Sequence, residues 1–376
     1  MAEVTLTPEE AAQRVLGLLD SDDKDDALAL ALALVDQCPD NMSVLYVAGQ
    51  VCWHHGRREE AIEYQKRLIA CDPANGQLHR NLVELLLRMD DQPEIAAASD
   101  AAQSAGIEDS SLINTGGLAH YKCGDLDRAL AMFRRAVEIN PGNGKAQRNI
   151  SVVLMDRGDG EAAVAAYGES LRAWVPGHEE ESKEDVMTRY DARAEIYDNN
   201  DLHRYFSRTM AAFIQDFAQL DHGHKVLDVG CGTGGVASHL KGTGARFWGV
   251  DISPEMLTVA RDKGVYDDLS AGDMVECMTH HDGPFDAIVC CCVLYHLNEL
   301  EHFMTQASRL LGAAGHLFIS VDPAPDEYDI AIADQGEFAH SRAYLRRLAA
   351  AADLRELDIR IMKHRMMPGF WCAFQR

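Results

Sequence analysis

None of the ten cysteines is spaced as a Cys-x-x-Cys pair, and no uninterrupted apolar run approaches 18 residues in this 376-residue chain. The first absence argues against a thiolate zinc site, and the second against a membrane-spanning helix. Positive charge is scarce: 35 Lys and Arg stand against 60 Asp and Glu, a formal net charge of −25. The deficit is shared by both sides of residue 177, so it is a property of the whole surface rather than of a tail. Such a surface repels phosphate backbones and anionic membranes, and the sequence predicts neither nucleic acid nor membrane as a partner. The opening MAEVTLTPEE has no signal-peptide pattern, and Cys290, Cys291 and Cys292 stand side by side in an apolar run. Reduced cysteines and a cytoplasmic protein are the expectation. The pairs His54-His55, His222/His224 and His280-His281 have no carboxylate or thiolate cluster at ligand spacing beside them, so no metal site is expected.

What is present is ordinary globular material, 47% hydrophobic and 25% charged, in a length suited to two domains. The left part repeats. Pro39, Pro73 and Pro141 are separated by 34 or twice 34 residues; Ala27, Ala61, Ala129 and Ala163, and Gly56, Gly124 and Gly158, keep the same register. Small residues let two antiparallel helices approach, the glycine ends the first helix, and the proline stops the second. Repeats therefore begin near residues 8, 42, 76, 110 and 144, the third being degenerate, with Asp90, Ile95 and Ile107 at the glycine, alanine and proline positions. The segment LINTGGLAHYKCGDLDRALAMFRRAVEINPGN resembles a tetratricopeptide repeat, with Gly117, Gly124, Ala129, Phe133, Ala136 and Pro141 at the motif's positions. An all-α solenoid over 1–177 is predicted. Its concave face is suited to a protein or peptide, and a homodimer contact or a spacer arm is the plainer alternative.

Repeat periodicity stops at Val175-Pro176-Gly177, and HEEESKEDV reads as an acidic hinge. Residues 178–224 are expected to form a linker and helical lid, in which Tyr190 and Tyr197 lie seven apart on one side of a helix. From 225 to 376, short apolar runs (225–230, 245–251, 285–294, 315–322 and a weaker one at 266–270) alternate with helical stretches, the pattern of a parallel sheet with crossovers. DIRIMKH and GFWCAFQR close the chain as an antiparallel hairpin at a sheet edge.

The first strand runs into Asp228-Val229-Gly230-Cys231-Gly232-Thr233-Gly234-Gly235. Glycines there let a ligand lie against backbone N–H groups at a helix N-terminus. The string satisfies two templates: Gly230, Gly232 and Gly235 spell the dinucleotide G-x-G-x-x-G, while Asp228, Gly230, Gly232 and Gly234 spell acidic-x-G-x-G-x-G. Asp228 can meet an ammonium group, where a nicotinamide cofactor would bring pyrophosphate. Asp251, 17 residues after Gly234, suits the ribose hydroxyls of either cofactor, and Ala271-Gly272-Asp273 follows the weak third strand, where a carboxylate can receive the adenine amino group.

VLDVGCGTG, GVDISPEML, AGD, FDAIVCCCVLYHL and LLGAAGHLFISV together resemble the class I S-adenosylmethionine-dependent methyltransferases, over 185–376. The resemblance implies a multidomain α + α/β chain: the solenoid, then a Rossmann-like seven-stranded methyltransferase domain with S-adenosyl-L-methionine over the carboxyl ends of the strands. It places Asp228, Gly230, Cys231, Gly232 and Gly234 near the methionine moiety and Asp251 on ribose with Ile252 and Met256 beside it. Asp273, with Gly272 and Met274, falls near adenine, and Tyr190 and Tyr197 in a lid. The cysteine run is read as buried strand filling, with Cys292 at its cofactor end.

Methyl transfer needs donor and acceptor held together and, for some acceptors, a proton removed. His296, just past the fourth strand with Tyr295 beside it, is one base candidate; its alternative is packing against cofactor or backbone. His340 is the other, because resembling methyltransferases carry a related His-Ser-x-x-Tyr stretch; its alternative is an exposed side chain before a helix capped by Ser341. The Asn-Pro-Pro-Tyr signature of amide and adenine N-methylation is missing, Cys292-Val293-Leu294-Tyr295 standing in its place. The expected function is methyl transfer to an O or N acceptor, with the repeats docking a protein or peptide. The alternatives are a cofactor-binding scaffold without turnover, a small-molecule O-methyltransferase, and, disfavoured by Asp228 and the closing hairpin, a nicotinamide oxidoreductase.

Overall fold

The computed structural model describes residues 6–21, 23–173, 181–333 and 336–376; of the expected hinge at 175–186, residues 175–180 lie outside them, and from Lys183 on it is helical rather than hinge-like. The chain divides into two compact units, Met1–Asn149 and Ile150–Arg376.

The first unit is built of antiparallel helices: α1 (Pro8–Leu19), α2 (Lys24–Gln37), α3 (Met42–His54), α4 (Arg58–Cys71), α5 (Gly76–Leu87), α6 (Gln92–Ser104), α7 (Ser110–Lys122) and α8 (Leu126–Ile139), with α9 (Gly144–Asp156) running across the boundary. The odd-numbered helices start at the residues that the 34-residue period gives. Each start has a local cause, because Thr7, Asn41, Asn75, Asp109 and Asn143, also 34 apart, turn a side-chain oxygen onto an otherwise unsatisfied N–H of the first turn. Asp91, Asp125 and Asp159 do the same for α6, α8 and the helix that follows α9. Gly56, Gly124 and Gly158 adopt φ of +74°, +85° and +81° after the first helix of their repeats, and Asp90 adopts +55° in the degenerate one. The third repeat therefore keeps the backbone turn without the residue that makes it cheap. Close approach is equally local: a Cβ on Gly117 of α7 would stand 2.7 Å from the Phe133 ring of α8.

The second unit comprises α10 (Gly160–Gly168), β1 (Arg172–Ala173), α11 (Lys183–Asp191), a 3-10 turn at Ala194–Asn199, α12 (Asp201–Phe217), β2 (Lys225–Val229), α13 (Gly235–Leu240), β3 (Arg246–Asp251), α14 (Pro254–Asp262), β4 (Asp268–Ala271), α15 (Met274–His280), β5 (Phe285–Cys290), a 3-10 turn at Leu294–His296, α16 (Glu301–Leu310), β6 (Leu311–Ala324), β7 (Ile330–Ile332), β8 (Phe338–Ser341), α17 (Arg342–Ala351), β9 (Arg355–His364) and β10 (Met367–Gln375). Seven strands make the main sheet in the order β4-β3-β2-β5-β6-β10-β9. The first five are parallel and β10 runs antiparallel to both its neighbours, so the closing hairpin lies at the edge with β9 outermost. Phe213 of α12 packs with Phe318 of β6 and Trp371 of β10 on one face, and Phe303, Met304 and Leu310 of α16 cover the other.

A feature that the sequence reading lacks is a ribbon growing from the carboxyl end of β6. Asp322 and Pro323 pair in parallel with Ala339 and His340 of β8, β7 pairs antiparallel with β8, and β1 with β7. The last repeat helix, α10, lies against this body through its glycines: a Cβ on Gly168 would stand 2.5 Å from Pro325, and one on Gly160 3.0 Å from Ile361. The packing boundary at 149/150 thus precedes the compositional one at 177. The last repeat helix uses its small residues on the sheet body.

Candidate active site

β2 ends in the glycine loop, with Gly230, Gly232 and Gly234 at φ of +70°, +52° and +81°. Two of these glycines are required by contact as well as by conformation. A Cβ on Gly230 would stand 2.5 Å from Val293, and one on Gly234 2.7 Å from the Tyr266 ring. Gly232 is different: nothing lies within 4 Å of where its Cβ would be, so its backbone fronts open space. Cys231 is buried beneath the loop.

Two carboxylates face this cradle from adjacent parallel strands. Asp228 of β2 is 3% exposed and accepts the Tyr266 hydroxyl on Oδ2 at 2.7 Å. Burial pushes its pKa up to about 7, the Tyr266 hydrogen bond opposes the rise, and the charge of Asp251 adds to it. Asp251, at the end of β3, accepts the Gly232 N–H on Oδ2 at 2.7 Å and the Ser253 N–H on Oδ1 at 2.9 Å. Burial raises its pKa too, against those backbone hydrogen bonds. Ile252 is half-buried beside it, and Met256 is 1% exposed behind, its N–H given to Ser253, which caps α14. Gly272 bonds through its N–H to the Asp251 carbonyl. Asp273 caps α15 through Oδ1, while Oδ2 pairs with Lys183 at 2.7 Å; Met274 packs as the first residue of that helix. Asp273 therefore has two protein partners besides any adenine donor, and the paired Lys183 helps hold its carboxyl below the usual range against its partial burial.

The expected lid segment is tied to the motif loops. Asp191 accepts the Ser253 hydroxyl at 2.5 Å, Asp198 accepts the Thr233 hydroxyl at 2.6 Å and pairs with Lys263, and Lys183 reaches Asp273. Tyr190 and Tyr197 do not share one helix as expected, since α11 ends at Asp191 and Tyr197 lies in the 3-10 turn, yet their rings are 6.3 Å apart. The Tyr190 hydroxyl lies 2.9 Å from the Tyr295 hydroxyl and 3.2 Å from His296 Nε2. Burial and the nearby Arg189 and Arg365 push the His296 pKa down to about 4, leaving a neutral imidazole at pH 7. Cys292 sits across the loop at φ +57°, its N–H donated to Ser320 Oγ at 2.8 Å.

His340 is not brought into this group. It is fully buried in β8, donates from Nε2 to the Asn298 carbonyl at 2.8 Å and stacks with Tyr344. Burial lowers its pKa to about 4. The cause is the ribbon that sequence patterning missed: pairing of β8 with β6 and β7 encloses the side chain. Ser341 does cap α17.

Reasoning from sequence also passed over Tyr266, Lys183, Asp191, Asp198 and the cluster Asp322–His364–Arg365. Asp322, at the end of β6, is the nearest to a legible one, since an acid ending an apolar strand parallels Asp228 and Asp251. The others depend on contacts between distant segments. Among the described residues no group of three or more His, Cys, Asp or Glu is placed to hold a metal ion, and no helix is long and apolar enough to cross a membrane.

Comparison with known proteins agrees with this geometry. Residues 227–319 match the family model described as methyltransferase domain, and residues 13–76 and 114–176 match tetratricopeptide repeat. The chain joins tetratricopeptide repeats to a methyltransferase domain. The interval between the two repeat matches contains the degenerate third repeat. The chain is 33% identical over 102 residues to a ubiquinone biosynthesis O-methyltransferase of Xylella fastidiosa, covering 26% of this chain and 42% of that protein. To the protein of the same name from Xanthomonas oryzae it is 28% identical over 158 residues, covering 38% and 66%. The chain thus spans between about two fifths and two thirds of the length of these curated relatives. Among solved structures, magnesium protoporphyrin IX methyltransferase from Synechocystis PCC 6803 with bound SAH aligns at 17% identity and a TM-score of 0.43, over 52% of this chain and all of that one.

A methyltransferase domain of this kind takes S-adenosyl-L-methionine, and the residues present fit it. The open backbone at Gly232 leaves room for the ligand, and the buried Asp228 offers a carboxylate to an ammonium group. Asp251 retains accepting capacity for ribose hydroxyls, because its two oxygens have four lone pairs between them, more than the backbone donors of Gly232, Ile252 and Ser253 use.

Proposed function

We propose that this chain transfers a methyl group from S-adenosyl-L-methionine to an O or N acceptor, and that its repeats dock the protein or peptide that is, or carries, that acceptor. The observation that carries the reading is the junction of two features in one place. A glycine cradle faced by Asp228 and Asp251 adjoins, through the tied segment 183–199, a hydroxyl–imidazole group made of Tyr190, Tyr295 and His296.

When bound, the cofactor supplies the methyl as a sulfonium electrophile. The protein's own residues then have four tasks. Asp228 and the loop N–H groups orient the donor's amino-acid end, and Asp251 its ribose. Tyr190 and Tyr197 close over the site and exclude water. His296 Nε2, neutral at pH 7, accepts the acceptor's proton directly or through the Tyr190 hydroxyl. Tyr295 fixes the Tyr190 hydroxyl from the other side. The names of the curated relatives support oxygen as the acceptor atom, and the repeats support a macromolecular partner.

The test is calorimetric titration of S-adenosylhomocysteine into the full chain and its Asp251→Ala variant, followed by labelled-methyl transfer into cell extract. Binding that weakens by about 1–3 kcal/mol in the variant, as expected for a lost hydrogen-bond acceptor to buried donors, supports the reading. A folded wild-type chain that binds nothing ends it.

A further inference from the structure

β9 and β10 are joined by two residues only, since His364 already pairs with Met367. Those two, Arg365 and Met366, both have positive φ, +49° and +74°. A two-residue hairpin turn of this form favours Asn-Gly, because side chains crowd the backbone at positive φ. Strained non-glycine positions persist where the surroundings over-determine them, and they gather at functional sites.

The surroundings here are specific. The Arg365 guanidinium donates to both Glu337 oxygens, at 2.7 and 2.5 Å, and to Asp322 Oδ2 at 3.2 Å. Asp322, 1% exposed, holds the fully buried His364 through Oδ1 at 2.5 Å. The guanidinium lies over the Tyr295 ring, 3.8 Å from its centroid. Tyr295 meets Tyr190, and Tyr190 meets His296. The end of β6, the start of β8 and the hairpin turn thus converge on one aromatic ring.

We propose that Arg365 is a positioning residue for methyl transfer, which fixes Tyr295, and through it Tyr190, against His296. This rests on the function proposed above. The charged and titratable groups facing His296 are Arg189, Arg365, Glu337, Asp322, Tyr190 and Tyr295. Removing the guanidinium leaves two carboxylates without their shared counter-charge, and the imidazole must then hold a proton more tightly. Lysine would keep the charge but not the planar stack or the forked pair of hydrogen bonds.

The experiment compares full-length wild type with Arg365→Gln and Arg365→Lys. The measurements are the His296 titration by NMR, the pH profile of kcat, and S-adenosylhomocysteine affinity. In Arg365→Gln the His296 midpoint should rise, and the acid limb of kcat with it. kcat itself should fall about tenfold or more while affinity stays within about twofold. In Arg365→Lys the midpoint should stay low while kcat still falls. If Arg365→Gln fails to fold, the double variant Arg365→Asn with Met366→Gly supplies the backbone's preferred pair and takes the same measurements. An unmoved His296 midpoint, or affinity falling in step with kcat, overturns the proposal. The NMR midpoint is readable even if wild type transfers no methyl to any extract, so failure of the functional reading is seen separately.

Discussion

The Tyr266 hydroxyl donates to Asp228 at 2.7 Å from the loop between α14 and β4, so the carboxylate that opens the glycine motif is held from the second crossover. The same ring lies where a Cβ on Gly234 would stand. Tyr266 therefore supports the motif both by hydrogen bond and by shape.

Stability and binding should respond oppositely to loss of the Asp228 charge. Its folded pKa, about 7, lies above the ordinary aspartate value of 3.8. Between those values the folded chain holds a proton that the unfolded chain has released, so this group's contribution to stability is lost as pH rises from about 4 to 7. Asp228→Asn should thus make the cofactor-free chain more stable at pH 8, by at most about 4 kcal/mol, with little change at pH 4. The same variant should bind S-adenosylhomocysteine more weakly, having lost the partner of its ammonium group. Denaturant titrations at the two pH values, paired with calorimetry, check both signs. Loss of stability at pH 8 would show that the charge is not the issue.

His296 and His340 should separate cleanly. His296 stays neutral down to about pH 4. The acid limb of kcat should accordingly fall well below the ordinary imidazole range, while donor capture, if it uses ionised Asp228 as proposed, should decline already below about pH 7. His296→Gln should cost about 10²- to 10⁴-fold in kcat, as loss of a proton acceptor does. His340→Gln should leave the profile in place and act on stability. With a folded pKa of about 4 against 6.5, His340 contributes stability that is complete above 6.5 and lost as pH falls toward 4. The variant should show shallower acid unfolding, measured by circular dichroism across that window.

The period of 34 fixed the helix starts because caps, glycines and small residues are local requirements that recur wherever a hairpin recurs. The parallel strands with their crossovers were legible for a related reason, because Asp228, Asp251 and Gly272 mark strand ends, whereas the count of seven came from the family resemblance and the strand order from the fold itself. His340 shows where this fails. Its burial comes from β8 pairing with β7 and with the last residues of β6; β7 and β8 are three and four residues long, too short to leave a periodic trace. Asp191, Asp198 and Lys183 were hidden because each is an ordinary surface acid or base until α11 and the 3-10 turn after it bring them to Ser253, Thr233 and Asp273.

Within the repeats, Asp90 and Gly117 make opposite predictions. Asp90 holds φ +55° where the neighbouring repeats have glycine, so Asp90→Gly should stabilise the α5–α6 hairpin by up to about 1 kcal/mol, its greater unfolded-state freedom offsetting part of the relief. Gly117→Ala should destabilise α7–α8 by about 1–3 kcal/mol, since Phe133 must leave its position to admit the methyl. Hydrogen exchange, read helix by helix in the full chain, distinguishes the two and localises each.

The ties between segment 183–199 and the motif loops predict that lid order and donor affinity change together. Asp198 accepts from Thr233 inside the glycine loop and pairs with Lys263; Asp191 accepts from Ser253, next but one to Asp251. Asp198→Asn keeps the size and one acceptor but loses the charge that holds Lys263. Asp191→Ala removes the partner of a buried hydroxyl, a loss of about 1–3 kcal/mol. In both variants S-adenosylhomocysteine affinity should fall, and protease cleavage within 183–199 should quicken. If the ties act only through lid closure, saturating ligand should restore protection in Asp198→Asn. Cleavage that quickens with no loss of affinity would separate the segment from the cofactor site and leave Tyr190 and Tyr197 as packing residues.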